Sequence, residues 1–139
     1  MPEITRVIPV LVYEDIPAAH DFLVHAFGFE GGGVGHDDEG VAVHGEVRAG
    51  GSAIWLHRVT DEHRLESPRA GVAGSGIVVQ VDDVDEHCVR ARAAGADIEY
   101  EPRDMPYGSR EYGVRDPEGH RWWFSSPLLV ASTRDAPAL

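Results

Sequence analysis

Two tryptophans stand where their side chains can form a binding surface. Trp55 alternates with Ala53 and His57, and Trp123 alternates with Arg121 and Ser125. If both runs are strands, side chains two apart share a face. Ile54, Leu56, Trp122 and Phe124 then point to a helix-covered core, and Trp55, His57 and Trp123 point the other way. Two indoles at matching places offer stacking walls for a flat or aromatic ligand; the competing reading is that they plug a ligandless cavity. Glu111 joins that side if the turn at Asp116 carries a bulge at Gly119. An acid between two tryptophans suits a cationic aromatic guest, whereas a rim carboxylate would pair with Arg110 or Arg115. Gly113 leaves room beside Glu111, and Gln80 and Arg121 complete the expected ligand-binding set.

Other chemistry finds little support. There is no Gly-x-Ser-x-Gly elbow and no phosphate-cradling Gly-Lys-Ser/Thr loop, and Gly31-Gly32-Gly33 follows a helix rather than a strand. His20, His25, His63 and His87 read as solvated surface histidines without ligand spacing. His36, beside Asp37, Asp38 and Glu39, lies in a Gly-rich acidic stretch too loose for a tetrahedral site. Cys88 lacks the electropositive setting that makes a thiolate and reads as core. His57, Glu111 and Tyr112 are feasible acid–base groups, but no recognisable motif places them.

Charge narrows the partners. Among 139 residues, 24 acids against 12 bases give a net charge of −12, which repels phosphate backbones and anionic membranes and attracts cations. With 42% apolar and 26% charged residues the chain is globular, and its length suits one domain. No apolar run reaches the ~20 residues of a membrane span, no basic leader opens the chain, and Cys88 has no internal disulfide partner. A cytoplasmic location is expected.

The elements that must position these side chains come in two similar sets. Val7 to Tyr13 is an apolar strand run, a helix starts at Asp15 and Pro17 and ends at Gly28, and Gly31 to Gly40 reads as loop. Val41 to Val47 and Ala53 to Val59 read as a hairpin, and Thr60 to Gly74 as a polar linker or mobile surface loop. The pattern then restarts with a strand from Gly76 to Val81 and a helix from Asp83 to Gly95. A short strand from Ile98 to Glu101 follows, then a hairpin of Ser109 to Arg115 and His120 to Ser126 around Asp116-Pro117-Glu118-Gly119. An internal duplication of about 68 residues accounts for this. The expected fold class is α+β, one domain of two βαβββ modules at 4–60 and 74–127, joined by 60–74 and followed by a fraying tail at 128–139.

The run from Tyr107 through the Asp116-Pro117-Glu118-Gly119 turn to Phe124 resembles the last hairpin of the vicinal oxygen chelate superfamily. That superfamily includes glyoxalase I, extradiol dioxygenases, fosfomycin-resistance enzymes and bleomycin-resistance proteins. The opening Val7 to Asp15, the helix end Ala26-Phe27-Gly28-Phe29 and the middle Val81 to Asp85 are similar to the same group, so the likeness covers roughly residues 5 to 127. It implies curled mixed sheets around a cavity commonly completed by a second subunit, hence a homodimer. The four ligand positions of metal-dependent members fall on Ile8, Trp55, Gly76 and Trp123, none of which offers a donor. No metal or cofactor is therefore expected. The resemblance implies a metal-independent protein that sequesters a cationic or aromatic small molecule, as bleomycin-resistance proteins do with antibiotics. The alternative is a lyase-, isomerase- or dioxygenase-like enzyme of the same fold, working without metal or with an atypical metal site.

Overall fold

The computed structural model describes residues 1–70 and 73–128. The first module begins with β1 (Val10–Tyr13), shorter than the apolar run from Val7 suggests. Pro9 has no N–H to give a ladder, so its carbonyl only accepts from the Trp55 amide and regular pairing starts at Val10. Helix α1 (Ile16–Phe27) has Asp15 as its N-cap, accepting from the Ala18 amide at 3.1 Å, and left-handed Gly28 as its C-cap.

The stretch expected to be loop contains β2 (Glu30–His36), paired with β3 (Ala42–Ala49), which in turn pairs with β4 (Ser52–Arg58). Glycine has low strand propensity, which hides β2 from pattern reading. Packing explains the composition. A Cβ on Gly31 would sit 3.0 Å from the His20 ring, and one on Gly32 would sit 2.8 Å from the Glu46 carboxylate.

The second module repeats the plan: β5 (Gly76–Gln80), α2 (Val84–Ala93), β6 (Asp97–Asp104), β7 (Ser109–Arg115) and β8 (Arg121–Pro127). Strand β6 runs three residues beyond the expected Glu101, through two register shifts. The sheets have matching orders, β1-β4-β3-β2 and β5-β8-β7-β6, with β1 parallel to β4 and β5 parallel to β8. The architecture is thus α+β with two βαβββ modules. No described helix is long and apolar enough to cross a membrane.

One core serves both modules. Leu23 and Phe27 of α1, Leu56 of β4, Cys88 of α2, and Trp122 and Phe124 of β8 are all buried in it. The helix-facing sides of both sheets meet there, so the opposite sides turn away from it. Burial pushes the Cys88 thiol up, in keeping with a core role.

Buried polar groups tie the modules. The β7–β8 turn sends Asp116 to the Tyr13 hydroxyl and the Trp122 indole, while Glu118 accepts from the Glu14 amide at 2.7 Å, the Asp15 amide at 2.9 Å and Ser67 Oγ at 2.7 Å. Burial alone would raise Glu118, but these donors and Arg69 outweigh it and hold the carboxyl below the usual glutamate range. Through Ser67 on Glu118 and Arg69 on Glu14 and Glu118, the joining segment is anchored rather than a free linker. Residues 71 and 72 of that segment, and the tail from 129 onward, lie outside the described residues.

His87, expected as solvated surface, is a half-buried strut. A carbonyl only accepts, so Nε2–H donates to Phe27 O at 2.8 Å and Nδ1 accepts from the Tyr112 hydroxyl at 2.6 Å. Burial lowers its pKa, consistent with this neutral form.

Candidate ligand-binding face

On the first module the sheet face away from the core is organised in cross-strand rows. Val10, Trp55 and Glu46 form one row, and Val12, His57 and His44 the next. The Trp55 indole N–H donates to Glu46 at 3.0 Å, and Arg48 pairs with the same carboxylate at 3.0 Å. The indole bond and the guanidinium hold Glu46 below the usual carboxylate range. His44 meets the Trp55 ring edge-on, with centroids 5.5 Å apart. His57 shares the Trp55 face, as strand parity predicts, and its Nδ1 donates to Arg58 O at 2.8 Å.

The second module repeats the row of Val10 and Trp55 as Val78 and Trp123, with Gly113 following and Tyr100 beyond it on β6. The Trp123 ring lies over Gly76, where a Cβ would come within 2.5 Å of it. Arg121 stands 6.0 Å from the ring centre. Glu99 holds Arg121 at 3.1 Å and Arg115 at 3.2 Å.

Glu111 differs from both sequence readings. It is only 3% exposed and accepts from the Tyr107 hydroxyl at 2.8 Å and from the Tyr100 hydroxyl. Neither expected arginine pairs with it: Arg110 holds Asp85 and Asp104, and Arg115 holds Glu99. Burial and the hydrogen bond to the Glu111 carboxylate push Tyr107 up to about 12 and Tyr100 higher still.

The room expected beside Gly113 is filled by Tyr100, whose Cε1 would be 2.4 Å from a Cβ there. Gln80 is exposed on β5 and lines a cleft of about 580 Å³ with Val7, Pro9, Ala53 and Val78. Tyr112 faces the core and is fully buried, so it cannot reach a ligand on these faces.

Among the described residues no aromatic contact joins Trp55 to Trp123; each indole belongs to its own module's face. Sequence reasoning missed Tyr100, Tyr107 and Arg103, whose guanidinium lies 4.5 Å over the Tyr100 ring. Tyr107 was visible at the edge of the hairpin motif, but β6 was expected to stop before Arg103.

The residues do not fit the metal that the fold's enzymes use. An aliphatic side chain, a glycine and two indoles stand where the family resemblance would put four metal ligands, and an indole N–H is a donor of protons, not of an electron pair. Among the described residues no three His, Cys, Asp or Glu side chains are arranged to hold a metal ion.

Comparison with known proteins places this geometry. Residues 5–124 match the family model of the Glyoxalase/Bleomycin resistance protein/Dioxygenase superfamily. The uncharacterized protein Mb0911c of Mycobacterium bovis is 30% identical over 124 residues, covering 86% of this chain and 82% of that protein. The crystal structure of TioX from Micromonospora sp. ML1 superposes with a TM-score of 0.70 at 36% identity, covering 89% of this chain and 99% of TioX. A glyoxalase/bleomycin resistance protein/dioxygenase from Nocardioides superposes with a TM-score of 0.68 at 19% identity, covering 100% and 91%.

Proposed function

Since the chain belongs to the Glyoxalase/Bleomycin resistance protein/Dioxygenase superfamily, we propose that it is a metal-independent binding protein that sequesters an aromatic small molecule. One observation carries this reading. Two half-buried indoles stand at register-equivalent places, Trp55 beside Val10 and Trp123 beside Val78, where metal-using relatives would need electron-pair donors. Flat, polarisable surfaces bind flat guests; they do not polarise a substrate oxygen. The acid–base alternative loses Tyr112 to the core and has Glu111 locked by two phenols. The net charge of −12 favours long-range encounter with cations.

A second copy of the chain closes the cavity in this reading. Val10 and Val78, 49% and 44% exposed, flank the two indoles and would be covered in a symmetric dimer. Antibiotic resistance by stoichiometric capture is the biological role this implies. The test is fluorescence titration with planar probes, 9-aminoacridine and 2-naphthoate, in the presence of EDTA. Saturable quenching with the probe recovered unchanged supports sequestration. Absence of saturable binding, or a chemically altered probe, overturns it.

A further inference from the structure

We infer that the second module carries an anion-binding subsite centred on Arg103, so that the preferred guest is an aromatic oxyanion, with a carboxylate, sulfonate or phenolate on a flat ring. The inference rests on the reading of Trp123 as a stacking wall and names the class of molecule stacked there.

Among the described residues, Arg103 has no ion-pair partner on this face. Three acids are near it in sequence or register, and each is committed elsewhere. Glu101 pairs with Arg92, and Asp104 pairs with Arg110 at 3.1 Å. Glu111, directly opposite on β7, gives one oxygen to Tyr100 and the other to Tyr107. Among the described residues no carboxylate lies within ion-pair distance of Arg103, although the chain has twice as many acids as bases.

The guanidinium is also oriented. It lies 4.5 Å over the Tyr100 ring, and that ring is itself held by the close approach to Gly113 and by the hydroxyl bond to Glu111. A guanidinium stacked on a ring keeps its in-plane N–H edges free for a bidentate oxyanion. The Tyr100–Glu111–Tyr107 cluster thus acts as a pedestal for Arg103 rather than as a site for a cation.

The spacing suits one molecule. Tyr100 pairs with Gly113, and Gly113 pairs with Trp123, so the two aromatic residues stand two strands apart, about 10 Å. A fused-ring guest lying on Trp123 can reach Arg103 with an acidic substituent. Near the indole, Glu99 holds both Arg115 and Arg121. Glu111, opposite Arg103, is buried under two phenols, so a cationic guest could use it only by breaking those hydrogen bonds. Long-range steering by the acidic chain and short-range selection by this face therefore have opposite signs.

Three probes of one shape test this: 2-naphthoate, 2-naphthamide and 2-naphthylmethylammonium, titrated calorimetrically at pH 7. The expected result is that wild-type protein binds the naphthoate about tenfold more tightly than the amide, with the ammonium weakest. R103Q should bring the naphthoate to the amide's affinity while leaving the amide within about twofold, with an unchanged melting temperature. R103K should restore only part of the preference, because an ammonium lacks the stacked fork. Binding of all three probes without charge preference, or equal weakening of all three by R103Q, overturns the subsite and leaves Trp123 as a wall. Failure of wild-type protein to bind any probe overturns the stacking reading and the subsite with it.

Discussion

Trp122 and Trp123 are adjacent in sequence and should respond to truncation in opposite ways. Trp122 is 0% exposed, donates its indole N–H to Asp116 at 3.2 Å, and packs on Phe27 and Phe29 with centroids 5.4 and 5.5 Å away. Trp122→Ala removes that whole ring from the core, a change that costs about 3–5 kcal/mol. Asp116 keeps the Tyr13 hydroxyl and two amides, so the lost indole bond adds at most about 1 kcal/mol. For a chain of this size, a loss of about 4 kcal/mol lowers Tm by roughly 15 °C. Trp123 is half-buried on the outward face, so Trp123→Ala should cost only about 1 kcal/mol of stability. As a stacking anchor it should instead cost about 2 kcal/mol of binding, roughly thirtyfold in Kd. The assay is a pair of measurements on each variant: a calorimetric Tm and a fluorescence titration with 2-naphthoate. Equal losses of Tm from the two substitutions, with no selective loss of binding by Trp123→Ala, would refute the assignment of faces.

Glu118→Gln should destabilise the protein by about 2 kcal/mol at pH 7, read by urea unfolding, because one carboxylate serves two amides, Ser67 and Arg69. The folded pKa of Glu118 lies below that of an unfolded glutamate, about 4.3, so its contribution is complete above that pH and is lost as pH falls through the folded value. The gap between wild type and E118Q should therefore narrow at acid pH; a gap that widens there contradicts the assignment. Gly113→Ala should cost about 1–3 kcal/mol, since its Cβ would lie 2.4 Å from the Tyr100 ring, and a melting temperature within a degree of wild type would show that the ring is not held there. Sedimentation at micromolar concentration should give a dimer, and Val10→Glu with Val78→Glu should give a folded monomer by circular dichroism; a wild-type monomer would remove the shared cavity.

Local rules wrote much of this fold into the sequence. Asp15, Gly28 and Asp83 mark helix ends because capping is satisfied within a few residues. Alternation at Ile54-Trp55-Leu56 and Trp122-Trp123-Phe124 assigns core and outward faces because a strand's side-chain period is two. The repeat of strand, helix and strands is likewise legible in one dimension. Strand β2 is not, because its glycines are selected by the rings and carboxylates packed over them, not by backbone preference. The cage around Glu111 escapes for a related reason: a strict period of two from Ile98 would put Tyr100 on the core face, and a register shift in β6 moves it to the face of Glu111. The clasp of Asp116 and Glu118 on the first module joins residues more than a hundred positions apart, and sequence alone sees only a tight turn. Whether Trp55 and Trp123 share a face within one chain is decided last. That depends on how the two helix-covered sides merge into one core, a packing choice made by surface burial over the whole chain rather than by any local motif.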